Sequence, residues 1–189
     1  ALSRALEFSK KYNVPVHILH VSCEPSMSCI LNFRANNPEV PVTYEVTWHH
    51  LFFSCDDCED AFLKMNPPLR QRSDMEALRK ALTEGRVPVI GSDHAPHTIE
   101  EKSQSIWDSP AGVPSLDTYG YCVADMLADG CHPGYMAAVT SYNPARLLGL
   151  KDRGLIRQGM KADFAVIRLK GPKKVENVYT KCGWNPWVL

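Results

Sequence analysis

The sequence lacks three features that mark nucleic-acid-binding, membrane and secreted proteins. Lys plus Arg and Asp plus Glu both total 21, so the 189-residue chain carries no formal net charge. This balance argues against the basic surface that binds nucleic acid or an anionic membrane. No apolar run approaches the ~20 residues that span a bilayer, and the amino-terminal segment does not resemble a signal peptide. We therefore expect a globular cytoplasmic protein with no nucleic-acid or membrane partner.

The sequence also lacks the cysteine spacing of a disulfide framework or a structural zinc site. Its seven cysteines are scattered, and an odd, dispersed set favours free thiols in a reducing compartment. Cys55 and Cys58 form a single C-x-x-C motif among acidic residues, which would raise thiol pKa values. Because a structural zinc ion needs four ligands, this motif alone predicts neither a zinc site nor a redox site.

Predicted strands and helices alternate along residues 1–150. Nearly continuous apolar runs are typical of strands buried on both faces of a parallel sheet. A capping box from Ser73 to Glu76 predicts the start of a helix, and Gly85 predicts its end. The predicted helices are residues 1–11, 22–36, 73–84, 117–128 and 133–148, and the predicted strands are residues 14–21, 42–50 and 87–92. This alternation predicts βαβ units and an α/β fold.

Residues 151–189 depart from this alternation. A glycine-bounded turn leads to residues 164–167, which we predict to form a small β element outside the main sheet. The chain begins inside a helical pattern without Met and ends without a helix stop. We therefore expect it to be a piece of a longer protein.

The segment Gly91-Ser-Asp-His-Ala-Pro-His97 carries a carboxylate and two imidazoles directly after a predicted strand. Polar groups at such a position must be paired or must bind a ligand, and Asp with His suggests a divalent metal and proton transfer. His20 ends the first predicted strand. Since the carboxyl ends of parallel strands share one edge, His20 and Asp93 are expected to face one site. The alternatives are that Asp93 caps the next turn and that His20 packs half-buried in the core.

Two further segments contain candidate residues. Asn66 lies in a loop stiffened by Pro67 and Pro68, where it can present an amide to an amide-like or carboxylate substrate. The alternative is a plain turn. His49 and His50 are adjacent on a predicted strand and would point to opposite faces, so they cannot both be metal ligands. We interpret them as structural residues or as supports for a ligand.

Together these segments resemble the dihydroorotase branch of the amidohydrolase superfamily. The matching segments cover essentially the whole chain in the family's order: His-Val-Ser at 20–22, Glu-Val-Thr-x-His-His-Leu at 45–51, Met-Asn-Pro-Pro-Leu-Arg at 65–70, Ser-Asp-His-Ala-Pro-His at 92–97, Pro-Ala-Gly-Val-Pro at 110–114, Ser-Tyr-Asn-Pro-Ala at 141–145, Gly-Met-Lys-Ala-Asp at 159–163 and Tyr-Thr-Lys-Cys-Gly-Trp at 179–184. A series of this length is far more specific than any one motif.

The resemblance implies a fold, a cofactor and roles for particular residues. The family's fold is a (β/α)8 barrel with two metal ions, usually Zn²⁺, and a small β-sandwich. Residues 1–150 would form the carboxyl-terminal part of the barrel, and residues 151–189 would form part of the sandwich. His20 would bind one metal ion, while Asp93 would bind the other and act as the catalytic acid/base. The substrate would contact Asn66 and His97 and the backbone of Ala111 and Gly112.

The departures from the family are as informative. No His-x-His occurs in the sequence, and the segments that carry the family's carboxylated Lys, a further His and a substrate-binding Arg have no counterpart. Two of the family's six metal ligands are therefore present, and we expect the chain by itself to be inactive. Trp48 also stands where the family commonly has Pro.

The resemblance implies interconversion of N-carbamoyl-L-aspartate and L-dihydroorotate in pyrimidine biosynthesis. The alternatives are a sibling enzyme, such as an allantoinase or hydantoinase, and a non-catalytic scaffold with the same fold. The Met-Asn-Pro-Pro-Leu-Arg loop and the Lys-Cys-Gly-Trp tail favour dihydroorotase, and the presence of His20 and Asp93 argues against a scaffold. The expected partner is a small-molecule substrate, and a homo-oligomer is left open.

Overall fold

A three-stranded parallel sheet forms the centre of the structure, in the order β1-β2-β3. The computed structural model describes residues 1–167, 169, 175 and 178–188. The strands are β1 Val16–Ile18, β2 Val42–Thr47 and β3 Val89–Gly91. Val16 pairs with Val42, and Glu45 pairs with Val89. The predicted parallel α/β arrangement is therefore present.

Helices connect the strands and cover one face of the sheet. They are α1 Leu2–Tyr12, α2 Glu24–Asn36, α3 Trp48–Phe52, α4 Arg72–Thr83, α5 Ile99–Lys102, α6 Tyr119–Ala128, α7 Pro133–Ala137 and α8 Asn143–Leu147, with a 3-10 turn at Cys55–Asp57 and a π-helical turn at Ala138–Tyr142 between α7 and α8. In the described part of the chain, none of these helices is long and apolar enough to cross a membrane.

The two faces of β2 differ in polarity. Tyr44 and Val46 are fully buried and belong to the hydrophobic core with residues from the surrounding helices. On the opposite face, His17 Nδ1 lies 2.8 Å from Thr43 Oγ1 and His17 Nε2 lies 3.2 Å from Glu45 Oε2. The alternation follows from the two-residue period of a strand, and it places a polar layer on the face away from the helices.

Two local predictions are wrong. The second strand ends at Thr47, and residues Trp48–Phe52 form a helix. This helix buries the side chains of its first four residues. Trp48 is fully buried and packs edge-on against Tyr119 with ring centroids 5.3 Å apart. The capping box is also absent, since α4 begins at Arg72, one residue before Ser73. Asp74 instead accepts a hydrogen bond of 2.9 Å from the backbone N–H of Glu24, at the start of α2.

The predicted β element at residues 164–167 stays a prediction, since much of the predicted small domain lies outside the described residues. A strand requires a hydrogen-bonded neighbour, and none of the described residues pairs with this segment, whose Phe164 and Val166 are largely exposed. Other residues of the predicted small domain, at 168, 170–174, 176–177 and 189, lie outside the described part. Trp184, near the end of the described residues, packs against the segment after β3, where its Nε1 donates a 2.8 Å hydrogen bond to the carbonyl of His97.

Candidate functional site

His20 and Asp93 adopt a backbone conformation that is uncommon outside glycine. His20 follows β1 with a φ of 38°, and Asp93 follows β3 with a φ of 43°. Left-handed backbone is strained for a residue with a Cβ atom, and such residues concentrate at functional sites. Because β2 lies between β1 and β3, His20 and Asp93 leave the sheet at the same end, on either side of the segment that follows β2.

His49 lies in that segment and contacts Asp93. Its Nε2 lies 3.9 Å from Asp93 Oδ2, and its side chain is 1% exposed. Neither ring nitrogen has a hydrogen-bond partner among the described residues. Burial lowers the pKa of His49 well below its ordinary value, and repulsion from His50 and His20 lowers it further. The ring is therefore neutral near pH 7.

His50 connects the end of β2 to the loop that carries Asn66. Its Nδ1 lies 2.7 Å from Thr47 Oγ1, and its Nε2 lies 3.1 Å from the carbonyl oxygen of Pro67. The strand interpretation of His49 and His50 is wrong, because both lie in α3. Both side chains are buried, and the bonds to Thr47 and Pro67 give His50 a structural role. Asn66 itself is exposed beside Pro67, so its amide is accessible.

We expect His50 to make the protein less stable as the pH falls below 6.5. Burial lowers the pKa of His50 from 6.5 to about 4, so between these values the unfolded chain binds a proton that the folded chain does not. The free energy of unfolding therefore decreases as the pH drops through this window, by about 3 kcal/mol in total for a shift of this size. Urea unfolding at several pH values measures it.

The His50→Gln variant provides the control for this pH dependence, because an amide does not titrate. Its stability should change less than that of the wild-type protein between pH 6.5 and pH 4. Above pH 7 the free energy of unfolding should depend on pH in the same way for both proteins. An equal loss of stability in acid for both proteins would assign the effect to other groups.

His97, Ala111 and Gly112 lie together in the structure. His97 Nε2 is 3.3 Å from the carbonyl oxygen of Ala111. Gly112 has a φ of 135°, and a Cβ atom there would lie 2.6 Å from Ala95 Cβ and 3.3 Å from His97 Nε2. Only glycine fits this approach. The backbone N–H of Gly112 donates a 2.9 Å hydrogen bond to the carbonyl of Lys64, which places the segment beside the Asn66 loop.

The other imidazole of the Gly91–His97 segment has a structural role. His94 Nδ1 accepts a 3.0 Å hydrogen bond from the backbone N–H of Ser115. The Ser115 hydroxyl donates a 2.6 Å hydrogen bond to the carbonyl of Ser92. These contacts fix the chain on both sides of Asp93, so His94 helps to orient the carboxylate without facing it.

Lys102 is the residue that sequence reasoning missed. It is fully buried, and its ammonium group donates hydrogen bonds to the backbone carbonyls of Lys64, Pro110 and Gly112. The sequence shows only a charged residue in a segment with no predicted element, where a lysine is ordinarily solvated. No local pattern could have indicated its burial.

A contact series joins Asp93 to the loops that carry Asn66 and Gly112. Asp93 contacts His49, His50 bonds to the loop that holds Asn66, and that loop bonds to Gly112. His20 and Asp93 are chemically suited to bind metal, as imidazole and carboxylate ligands of zinc. Among the described residues, no group of three or more His, Cys, Asp or Glu side chains is placed to hold a metal ion. His20 and Asp93 could therefore supply some of the ligands of a metal site, and their roles stay predictions.

Comparison with known proteins shows the family. A sequence profile of the Amidohydrolase family matches residues 14–184. The chain belongs to the amidohydrolase family. The resemblance seen in the sequence motifs is therefore confirmed.

Curated relatives of this amidohydrolase include dihydroorotases from archaea. The dihydroorotase of Pyrococcus abyssi is 39% identical over 191 residues, which cover 99% of this chain and 45% of that protein. The dihydroorotase of Halobacterium salinarum is 35% identical over 196 residues, which cover 99% of this chain and 44% of that protein. The amidohydrolase chain thus spans less than half the length of these relatives.

Solved structures of two cyclic amidohydrolases share the fold. L-Hydantoinase (dihydropyrimidinase) from Arthrobacter aurescens matches with a TM-score of 0.80 and 26% identity, covering 86% of this chain and 38% of that one. The dihydroorotase of Saccharomyces cerevisiae, in complex with 5-fluoroorotic acid, matches with a TM-score of 0.71 and 24% identity, covering 80% and 43%. The α/β fold of this amidohydrolase is therefore confirmed, while the predicted β-sandwich stays a prediction.

Proposed function

We propose that this amidohydrolase is the carboxyl-terminal part of a dihydroorotase, which interconverts N-carbamoyl-L-aspartate and L-dihydroorotate in pyrimidine biosynthesis. The observation that carries the proposal is the placement of His20 and Asp93 at one end of the sheet, next to loops that carry Asn66 and Gly112. Curated dihydroorotases that match 99% of the chain support the choice of substrate.

The donor set of the site fits a metal-dependent hydrolase in part. His20 and Asp93 would each hold one of two metal ions, and the remaining ligands would come from the part of the relatives that this chain does not span. When bound, the two ions would supply Lewis-acid chemistry that activates water and polarises the amide carbonyl. The neutral ring of His49 is compatible with metal binding by Asp93, because it adds no positive charge beside that carboxylate.

Asp93 is the group that this chain would contribute to the chemical step. Its side chain is 38% exposed, so the carboxylate can reach a substrate while its backbone is held on both sides. It would take the proton from the attacking water and deliver it to the leaving nitrogen of the ring. Asn66 and His97 would bind the substrate's polar groups, and the backbone at Ala111 and Gly112 would close over the ring.

The test of this function uses the complete protein that contains this chain. We expect it to hydrolyse L-dihydroorotate and to form it from N-carbamoyl-L-aspartate, with turnover that falls on removal of metal by a chelator and returns with Zn²⁺. The measurement is ultraviolet absorbance of the ring during turnover, with hydantoin and allantoin as competing substrates. A higher kcat/KM for hydantoin or allantoin would reject dihydroorotase in favour of that activity.

Hydantoinase is the second candidate function. It is favoured by the fold match to L-hydantoinase, whose TM-score of 0.80 exceeds the 0.71 of the yeast dihydroorotase. Fold similarity does not determine the substrate of an enzyme, so the assay with both substrates decides between the two. Absence of turnover with every cyclic amide, in a folded metal-loaded protein, would instead support a non-catalytic scaffold.

A further inference from the structure

Lys102 is a buried lysine whose hydrogen bonds all go to backbone carbonyls. Its ammonium nitrogen lies 3.1 Å from the carbonyl oxygen of Lys64, 3.0 Å from that of Pro110 and 3.2 Å from that of Gly112. An ammonium group has three N–H donors, so this geometry uses every one. The side chain is 0% exposed, and its nitrogen lies 6.0 Å from the centre of the Trp184 ring.

This arrangement costs stability. A buried cation loses its hydration, and among the described residues no carboxylate forms an ion pair with Lys102 to offset that loss. Desolvation lowers the pKa of Lys102 to about 8, with a further decrease from the charge of Lys64 and an opposing increase from Asp60. An apolar side chain at this position would avoid the cost of burying the charge. An apolar side chain could not, however, donate hydrogen bonds to the three carbonyls that Lys102 binds.

The carbonyls that Lys102 binds belong to two separate loops. Lys64 lies two residues before Asn66, while Pro110 and Gly112 flank Ala111. The two loops also bond directly, from the Gly112 N–H to the Lys64 carbonyl at 2.9 Å. The Lys64 side chain reaches back and donates to the carbonyl of Ile106 at 2.6 Å. Lys102 thus donates hydrogen bonds to both loops at once.

We propose that Lys102 is a positioning residue that holds the Asn66 loop and the Ala111–Gly112 loop at the spacing the substrate requires. The proposal rests on the proposed function, because that function makes these loops the substrate-binding elements. Lys102 itself touches no reacting atom. A compact ammonium suits this task better than a guanidinium, because three converging carbonyls match its three donors.

The experiment compares Lys102→Met with Lys80→Met in the complete protein. Methionine is similar in length to lysine and cannot donate a hydrogen bond. Lys80 is a control for loss of a lysine charge, since its side chain is 72% exposed on α4 and pairs with Glu84 on the surface. Lys102→Gln, which keeps an amide donor, serves as the second variant if the Met variant does not fold.

Two readouts separate positioning from plain stability. The first readout is kinetic: KM and kcat are measured separately for each variant, together with metal content and Tm. We expect KM to rise by about tenfold or more in Lys102→Met, since displacement of a positioning group by about 1 Å can cost 100-fold. The metal content should not change. The second is amide hydrogen exchange, which should become faster in residues 62–66 and 106–113 and stay the same in α6.

The outcomes distinguish this proposal from the proposed function. Unchanged exchange in both loops of Lys102→Met would overturn the proposal, whatever the activity of the enzyme. So would faster exchange with an unchanged KM, because Lys102 would then be merely structural. If the wild-type protein turns over no cyclic amide, the proposed function fails, and the exchange data alone decide whether Lys102 holds the loops.

Discussion

Replacing Asp93 with Asn is expected to lower kcat by at least about 100-fold in the complete protein, the effect typical of losing a general base. Asparagine keeps the shape of the side chain and the left-handed backbone at this position, which Asn tolerates better than most residues. It cannot accept a proton from water. The loss should therefore appear in kcat, with L-dihydroorotate as the substrate.

The control for Asp93→Asn is the same substitution at an exposed carboxylate. Asp56 has a side chain that is 61% exposed and pairs with Arg72 at 3.4 Å on the surface, so Asp56→Asn should leave kcat unchanged. Metal content must be measured for both variants. Near-normal turnover of metal-loaded Asp93→Asn would assign the acid/base role to another group.

Replacing His20 with Ala is expected to remove metal and activity together. His20 leaves the sheet at the same end as Asp93, and loss of a ligand weakens a metal site more than loss of a supporting contact, which alone can cost 10- to 100-fold in affinity. The measurement is metal per subunit by elemental analysis, followed by kinetics with Zn²⁺ added back. His132→Ala is the matched control, since His132 is exposed and caps α7.

The Asn66→Ala and His97→Ala variants should behave differently from His20→Ala. Neither residue follows a strand directly, so both should keep the full metal content. Each should lower kcat/KM by a factor that corresponds to a loss of about 1.5–3 kcal/mol of transition-state stabilisation, the range for a hydrogen bond to a charged group. Metal loss in His97→Ala would make His97 a ligand, and the assignment around Asp93 would then be wrong.

The sequence predicted the elements whose signals are local. The helical pattern at residues 1–11 matches α1 Leu2–Tyr12, and the pattern at residues 22–36 matches α2 Glu24–Asn36. Gly85 follows α4 with a φ of 76°, the left-handed conformation that glycine adopts readily. In each case the deciding interactions lie within one turn of the chain.

Predictions failed where distant contacts competed with local preference. The β-branched run of the second strand suggested that residues 48–50 continue it, yet burial of Trp48 against Tyr119 turns them into a helix. Ser73 to Glu76 matches a capping box, but Asp74 accepts a hydrogen bond from Glu24, 50 residues earlier. Packing outweighs the small differences in local propensity at Trp48, and a hydrogen bond to a distant residue stands in place of the capping box at α4.

The sequence by itself determined the chemistry that the site can offer. A parallel α/β order, with His20 at the end of one predicted strand and Asp93 directly after another, places an imidazole and a carboxylate at one end of the sheet, because parallel strands share that end. Only the tertiary structure decided what surrounds them. The contact of His49 with Asp93, the bond from Lys102 to the Lys64 carbonyl and the bond from Trp184 to His97 join residues that lie 38 to 87 positions apart. Such contacts depend on how whole elements pack, and no local pattern encodes them.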